Sequence, residues 1–371
     1  MAEIETWPGY AASRLVSLPG LARRLDIGGI AYQDEGGRFG VGSFKALGAP
    51  YALAAIIAAR LSRRLGRRIP TREVLGGVHR DACASLTVAA ATDGNHGRAL
   101  AWAAQQAGCH CIIYVPPAVS RGRIEAILAY GAEIAHIEGS YDDAVARCTE
   151  DCLSNDWLDI TDTAPSTAPR THGLSAALRV MAGYATIVDE ALPRMETPPT
   201  HLFAQGGVGG FAAAMAARLW QRLGDSRVRL VVVEPHRAAC LFASAEAGEL
   251  RPASGDLDTL MQGLACGEAS APAWEILAQA ATAFLTIDDA HAVEAMRLLA
   301  RGVDGDSHLV AGETGAAGVA GLLAVAGDVE ARAALRLDSN SRVLLIGTEN
   351  ATDPRLYAEL VGHPPERQSP A

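Results

Sequence analysis

The chain reads as a two-domain α/β protein, each domain a largely parallel, twisted sheet flanked by helices. Three observations lead there. Its 371 residues exceed what one hydrophobic core usually supports. From Leu86 onward, short apolar strands alternate with helical stretches long enough to be crossovers between parallel strands. That alternation runs twice. The spacing therefore predicts a larger domain from residues 1–85 and 196–371, with a smaller, mobile α/β domain inserted at 86–195.

The elements follow in order. A short helix is expected at Leu21–Leu25 and a strand at Ile30–Gln33. An Ala-, Leu- and Ile-rich stretch from Ala46 to Leu65 reads as a helix, and the basic patch Arg63–Arg72 as a solvated linker. The first βα run is strand Leu86–Ala91, helix Asn95–Gly108, strand Cys111–Val115, helix Arg121–Tyr130, strand Glu133–Ile137, helix Tyr141–Asn155 and strand Leu158–Asp159. The second is strand Leu202–Ala204, helix Phe211–Leu223, strand Arg229–Glu234 and strand Arg342–Gly347. Residues from Pro364 onward read as a frayed tail.

Composition narrows the function. A hydrophobic content of 49% indicates a well-buried globular chain, and the net charge of −10 disfavours nucleic acid, which selects a basic face. No apolar run reaches membrane-spanning length, and the first residues are acidic without an apolar core, so a cytoplasmic protein is expected. Seven cysteines then read as mostly buried thiols, with Cys109/Cys111 and Cys148/Cys152 as two buried pairs. A metal site from these four is the lesser alternative, and no metal is expected.

One residue breaks the chain's own habit. Lys45 is the sole lysine among 32 basic residues, and it lies in the segment RFGVGSFKALGA. Arginine serves surface charge equally well, but only an amine can lose its proton near neutral pH and attack a carbonyl carbon. The sharp reading is a Schiff-base lysine; the plain one is a single codon surviving in an Arg-biased chain.

Ligands in open parallel sheets sit at the carboxyl ends of strands, and three strand ends here are unusual. The first carries Thr92-Asp93-Gly94-Asn95-His96. Backbone N–H groups at a helix start, with the Thr92 and Asn95 side chains, suit a carboxylate-sized anion. Asp93 is odd beside an anion; it is either an acid/base or, with Asn95, a plain helix cap. His96 reads as structural on local grounds. The second strand end carries Gly206-Gly207-Val208-Gly209-Gly210, which opens an Ala-rich helix. Backbone amides there can close on a single phosphate, although a tight turn is the plain reading. The third carries Thr348, whose hydroxyl can face a buried ring nitrogen.

A lone amine, a phosphate-sized glycine loop, an anion loop and a strand-end hydroxyl together specify pyridoxal 5′-phosphate. The chain also resembles the tryptophan-synthase-β/threonine-deaminase group of pyridoxal-phosphate enzymes, fold type II, and within it the 2,3-diaminopropionate ammonia-lyases. The similar stretches are LVSLPGLARRL, RFGVGSFKALG, TDGNHGRALAWAAQ, TDT at 161–163, QGGVGG, TLMQGLACGE, AGETGAAG and GTENATDP.

The resemblance implies roles. Phe44 and Lys45 would carry the cofactor, with Lys45 as its covalent anchor and as the base on one face of the substrate Cα. Asn95 would bond the ring hydroxyl, Gly206–Gly210 the phosphate, and Thr348 the ring nitrogen. The loop from Thr92 to His96 would hold the substrate carboxylate. Asp93 matches the lyase aspartate that deprotonates the D-enantiomer, and Asp162 a second lyase aspartate suited to a β-ammonium group. The implied reaction is α,β-elimination of a β-substituted amino acid, 2,3-diaminopropionate above all, to pyruvate and ammonia. A β-hydroxy amino acid is the alternative, because the family's aromatic, acidic stretch after the second aspartate is here APSTAPRTHGL, with Arg170 and His172. The expected partners are a small amino-acid substrate and a second copy of the chain.

Overall fold

In the computed structural model, apolar runs ending in Gly- or Pro-containing turns form the strands, and Ala-rich stretches form the crossovers. It describes residues 3–92, 94–164, 172–224 and 228–365, with the backbone alone for 172–175. The chain divides into two compact units, Met1–Ala11 with Arg38–Thr186, and Ala12–Gly37 with Ile187–Ala371.

The second unit holds a six-stranded sheet in the order β1-β2-β10-β7-β8-β9. Its strands are β1 (Arg14–Ser17), β2 (Gly29–Asp34), β7 (His201–Gln205), β8 (Arg229–Pro235), β9 (Ala281–Ile287) and β10 (Arg342–Gly347). Only the β1–β2 pair is antiparallel. Central β7 is buried at every position, as a strand covered on both faces should be. Its core joins Tyr32, Phe203, Val231 and Val233 to Met296, Leu299 and Leu322 of flanking helices.

The first unit holds a wholly parallel four-stranded sheet, β5-β4-β3-β6. The strands are β3 (Thr87–Ala91), β4 (His110–Val115), β5 (Glu133–His136) and β6 (Leu158–Asp159), joined by helices Asn95–Ala107, Arg121–Leu128 and Tyr141–Asn155. The long helix Lys45–Leu65 packs on the Asn95 helix and on His172–Tyr184. Gly48 and Gly183 allow the second crossing, because a Cβ at Gly48 would lie 2.7 Å from Tyr184 Cζ and one at Gly183 would meet the Leu47 backbone, 2.9 Å from its carbonyl carbon.

These units differ from the expected division at residues 1–11 and 38–85, which group with the four-stranded sheet, and at 187–195, which group with the six-stranded one. For 38–85 the reason is the Lys45 helix, whose Ala- and Gly-rich face is buried against helices of the four-stranded unit. The stretch expected as a linker at 63–72 instead contains the end of one helix, Gly66 at φ 66°, and the start of another at Thr71. β9 was not foreseen. Helix Ala271–Ala280 runs into it without an intervening turn residue, so the local pattern has no break to read.

The cysteine expectation changes in one pair. Cys148 and Cys152 are buried on one face of the Tyr141 helix, against Ala89, Ala91 and Tyr114. The Cys109 thiol, however, meets Cys83, since Cys109 and Cys111 alternate about the strand start. Among the described residues no helix is long and apolar enough to cross a membrane.

Candidate active site

Lys45 is the first residue of its helix, and its side chain is 16% exposed. Its Nζ donates to Asp162 Oδ2 and lies 5.4 Å from the centre of the Phe44 ring. Phe44 is buried and packs on Tyr184 at 4.6 Å between ring centres. The aromatic contact fixes the turn from which the amine projects.

Asp162 is brought to Lys45 by a turn that another aspartate makes. Asp159, at the end of β6, accepts from the Thr161 N–H at 2.9 Å and from the Thr161 hydroxyl. Among the described residues the Asp162 side chain accepts from no backbone N–H. It is buried, Oδ1 accepts from the Tyr141 hydroxyl at 3.2 Å, and Oδ2 lies 3.5 Å from His96 Nδ1. Burial pushes its carboxyl up, but the Lys45 and His96 charges and the bonds from Lys45 and Tyr141 outweigh it and hold the group well below the usual carboxylate range.

The loop after β3 is organised by Thr92. Its Oγ1 accepts the N–H groups of Gly94 and Gly97, both at 2.9 Å. Thr92 thus satisfies a donor of the helix's first turn, the N–H of Gly97. Asn95 and His96 open the helix and are both buried. His96 Nε2 lies 2.6 Å from the Ile160 carbonyl oxygen, which ties this helix to the segment leading to Asp162. Asp93 and Arg170 lie outside the described residues, as does the side chain of His172.

Two residues were missed by sequence reasoning. Tyr141 follows the helix cap Ser140, and nothing local announces that its hydroxyl reaches Asp162. Arg123 is buried beside the loop, its Cδ 2.9 Å from where a Gly94 Cβ would sit. In a chain that writes nearly every cation as arginine, this one carries no compositional signal.

In the other unit the glycine loop leaves β7 and opens helix Gly210–Leu223. Gly207 has φ 62° and Gly209 φ 90°, a region that side chains other than glycine rarely adopt. The Gly206 and Gly209 N–H groups bond Val233 and Gly206 carbonyls, while those of Gly207 and Val208 take no backbone partner among the described residues. Free N–H groups at a helix start are what a phosphate requires. Below the loop, Glu234 accepts from Leu241 N–H at 3.0 Å and Phe242 N–H at 2.7 Å. Burial pushes its carboxyl up to about 7, against those two bonds and the Cys240 thiol.

Thr348 follows β10 and is 1% exposed, and among the described residues its Oγ1 has no hydrogen-bond partner. A buried hydroxyl without a partner is costly unless a ligand atom meets it, so this orphan fits the ring nitrogen of pyridoxal phosphate. Nearby, Gln205 Nε2 donates to the Ile346 carbonyl at 2.9 Å and to that of Gly315 at 3.1 Å, clipping the Glu313–Gly315 loop to the strand end.

Comparison with known proteins gives the family. Residues 6–349 match the family described as pyridoxal-phosphate dependent enzyme. The diaminopropionate ammonia-lyase of Escherichia coli (strain K12) is 35% identical over 361 residues, 95% of this chain and 88% of its own length. The crystal structure of the Escherichia coli enzyme in complex with an aminoacrylate-PLP azomethine reaction intermediate superposes with a TM-score of 0.86 at 32% identity, covering 97% of this chain and 89% of that one. Its complex with D-serine gives 0.85 at 33% identity, covering 95% and 88%. Alike in sequence and backbone to lyases that use this cofactor, and carrying an amine, a glycine loop and an orphan hydroxyl that suit it, the chain belongs to the pyridoxal-phosphate dependent enzymes of fold type II.

Proposed function

We propose that this enzyme is an ammonia-lyase acting on 2,3-diaminopropionate, which it converts to pyruvate with both nitrogens released as ammonia. The observation that carries the reading is Asp162. A buried carboxylate here holds a primary alkylammonium, that of Lys45, with the Tyr141 hydroxyl on its other oxygen. The second amino group of diaminopropionate is the same kind of cation. A β-hydroxy substrate offers Asp162 no charge.

Pyridoxal phosphate, when bound, supplies an aldehyde that condenses with amines and a ring that draws electrons from Cα. The residues we assign to hold it are Lys45 as the linking amine, Phe44 and Asn95 beside it, Gly206–Gly210 for the phosphate and Thr348 for the ring nitrogen. A neutral threonine hydroxyl leaves that nitrogen without the proton a carboxylate would hold there. Lys45 Nζ takes the Cα proton from one face, and Asp93 takes it from the other. The loop Thr92–His96 orients the substrate carboxylate. Asp162 receives the β-ammonium; the C–N bond breaks with its electron pair leaving on nitrogen. We further propose a homodimer, on the family resemblance, and a cytoplasmic location.

The test is a panel. Ammonia and pyruvate release is followed from D- and L-diaminopropionate, serine, threonine and larger β-hydroxy amino acids. Diaminopropionate should give the highest kcat/KM, and preference for a hydroxy substrate would replace this reading. Asp93→Asn should lower turnover of the D-substrate about a hundredfold, the scale of a lost general base, and that of the L-substrate far less. Equal loss for both hands would reassign Asp93 to substrate positioning.

A further inference from the structure

The mechanism above gives the His96 ring itself no task, since its loop meets the substrate carboxylate through backbone N–H groups and the Thr92 and Asn95 side chains, and the ring's surroundings restrict what it can be. The ring is 1% exposed. Nε2 lies 2.6 Å from the Ile160 carbonyl oxygen, which has only lone pairs to offer, so Nε2 carries a hydrogen. Nδ1 is buried, makes no hydrogen bond among the described residues, and faces Asp162 Oδ2 at 3.5 Å. In a neutral ring protonated at Nε2, Nδ1 presents a lone pair. A lone pair 3.5 Å from a carboxylate oxygen, with water excluded, is repulsive, whereas a proton on Nδ1 makes the same approach attractive.

Asp162 therefore has two cations on one oxygen, Lys45 and His96, with Tyr141 on the other. That is one positive charge more than a single carboxylate needs. The surplus has a use once Lys45 is drawn away. When the lysine nitrogen is engaged with the cofactor or acts as a free amine, Asp162 loses its strongest partner. A buried carboxylate stripped of its cation takes up a proton and stops attracting ammonium groups.

We infer that His96 is a positioning residue for Asp162: doubly protonated and tethered to Ile160, it keeps the carboxylate ionised while Lys45 is occupied, so that Asp162 can receive the substrate's second ammonium. The inference rests on the proposed role of Asp162 in binding the leaving group. The protonation of His96 itself does not depend on which substrate is used.

Nitrogen-15 NMR of histidine-labelled holoenzyme, without substrate, tests the protonation directly. The His96 signals are identified by their loss in His96→Gln or in His96→Asn. Both ring nitrogens of His96 should carry protons in this state. An unprotonated Nδ1 overturns the inference whatever the enzyme's substrate. Kinetics tests the consequence. His96→Gln can still reach the Ile160 carbonyl but has no group at the Nδ1 position, whereas His96→Asn keeps a donor there. For diaminopropionate, kcat/KM should fall about tenfold or more in His96→Gln, the effect of removing a positive charge beside the buried carboxylate, and less in His96→Asn. The cofactor Kd, read from visible absorbance, should stay within about twofold, because no cofactor contact is removed. A His96→Gln enzyme with unchanged kinetics would reduce His96 to a tether for Ile160. Absence of diaminopropionate turnover in the unaltered enzyme would refute the substrate assignment while leaving the NMR result to decide on the pair.

Discussion

A carboxylate buried as Asp162 is stays ionised only while cations and hydroxyls face it. Tyr141 is the neutral member of that set, and its removal tests how far the carboxylate depends on it. Tyr141→Phe keeps the ring and deletes the 3.2 Å hydrogen bond to Oδ1. A bond to a charged group is worth about 1.5–3 kcal/mol, so kcat/KM for diaminopropionate should fall about ten- to a hundredfold, with cofactor affinity unchanged. Steady-state kinetics beside an absorbance titration checks both halves. At this scale the sequence was informative where composition was extreme. Lys45 stood out because it is the sole lysine, and Asp162 because TDT matched a motif. Tyr141 and Arg123 did not, since their importance lies in which side chains the fold brings beside them, and no local spacing encodes that.

At the scale of elements, the turns between strand and helix hold most of the chemistry. In the glycine loop, Gly207→Leu would force a side chain into φ 62° and set its Cβ 3.2 Å from the Gly263 carbonyl oxygen. The loop must shift, and the N–H groups of Gly207 and Val208 shift with it. The cofactor Kd should rise about tenfold or more, by loss of charge-assisted bonds to phosphate; an unchanged Kd would move the phosphate elsewhere. Below that loop, Glu234 caps the helix Cys240–Ala247 with a carboxyl raised to about 7. Its raised value means the fold binds this proton more tightly than the unfolded chain does. The stabilisation is therefore complete below about pH 4.5 and is lost as pH rises to about 7. Glu234→Gln removes that dependence. Relative to the variant, the unaltered protein should lose about 3 kcal/mol of stability across this window, at about 1.4 kcal/mol for each unit of pKa shift, measurable by denaturant melts at several pH values. The regular elements were legible where an apolar run met a breaker: β6, β10 and the Tyr141–Asn155 helix have the bounds expected. β9 was illegible because its alanine-rich start continues the composition of the helix before it. The antiparallel β1 is four residues at a sheet edge, with too little alternation to read.

For the whole molecule, the parallel architecture followed from the strand–helix alternation, whereas the assignment of residues 38–85 depended on contacts between elements distant in sequence. The one lysine permits a test that few proteins allow. Borohydride reduction of the holoenzyme and peptide mapping should place all the pyridoxyl label on Lys45, and Lys45→Ala should carry none. Label on the amino terminus alone would remove the basis for the catalytic assignment. The same feature has a consequence for handling the enzyme. Apart from Lys45, whose side chain is 16% exposed and bound to Asp162, no lysine amine exists for coupling chemistry to attack. Tethering through amines to a solid support would then proceed through the amino terminus, and every immobilised molecule would present the same orientation to the solution. The remaining basic side chains, histidines aside, are guanidinium groups, which are not primary amines and so offer such reagents no competing site.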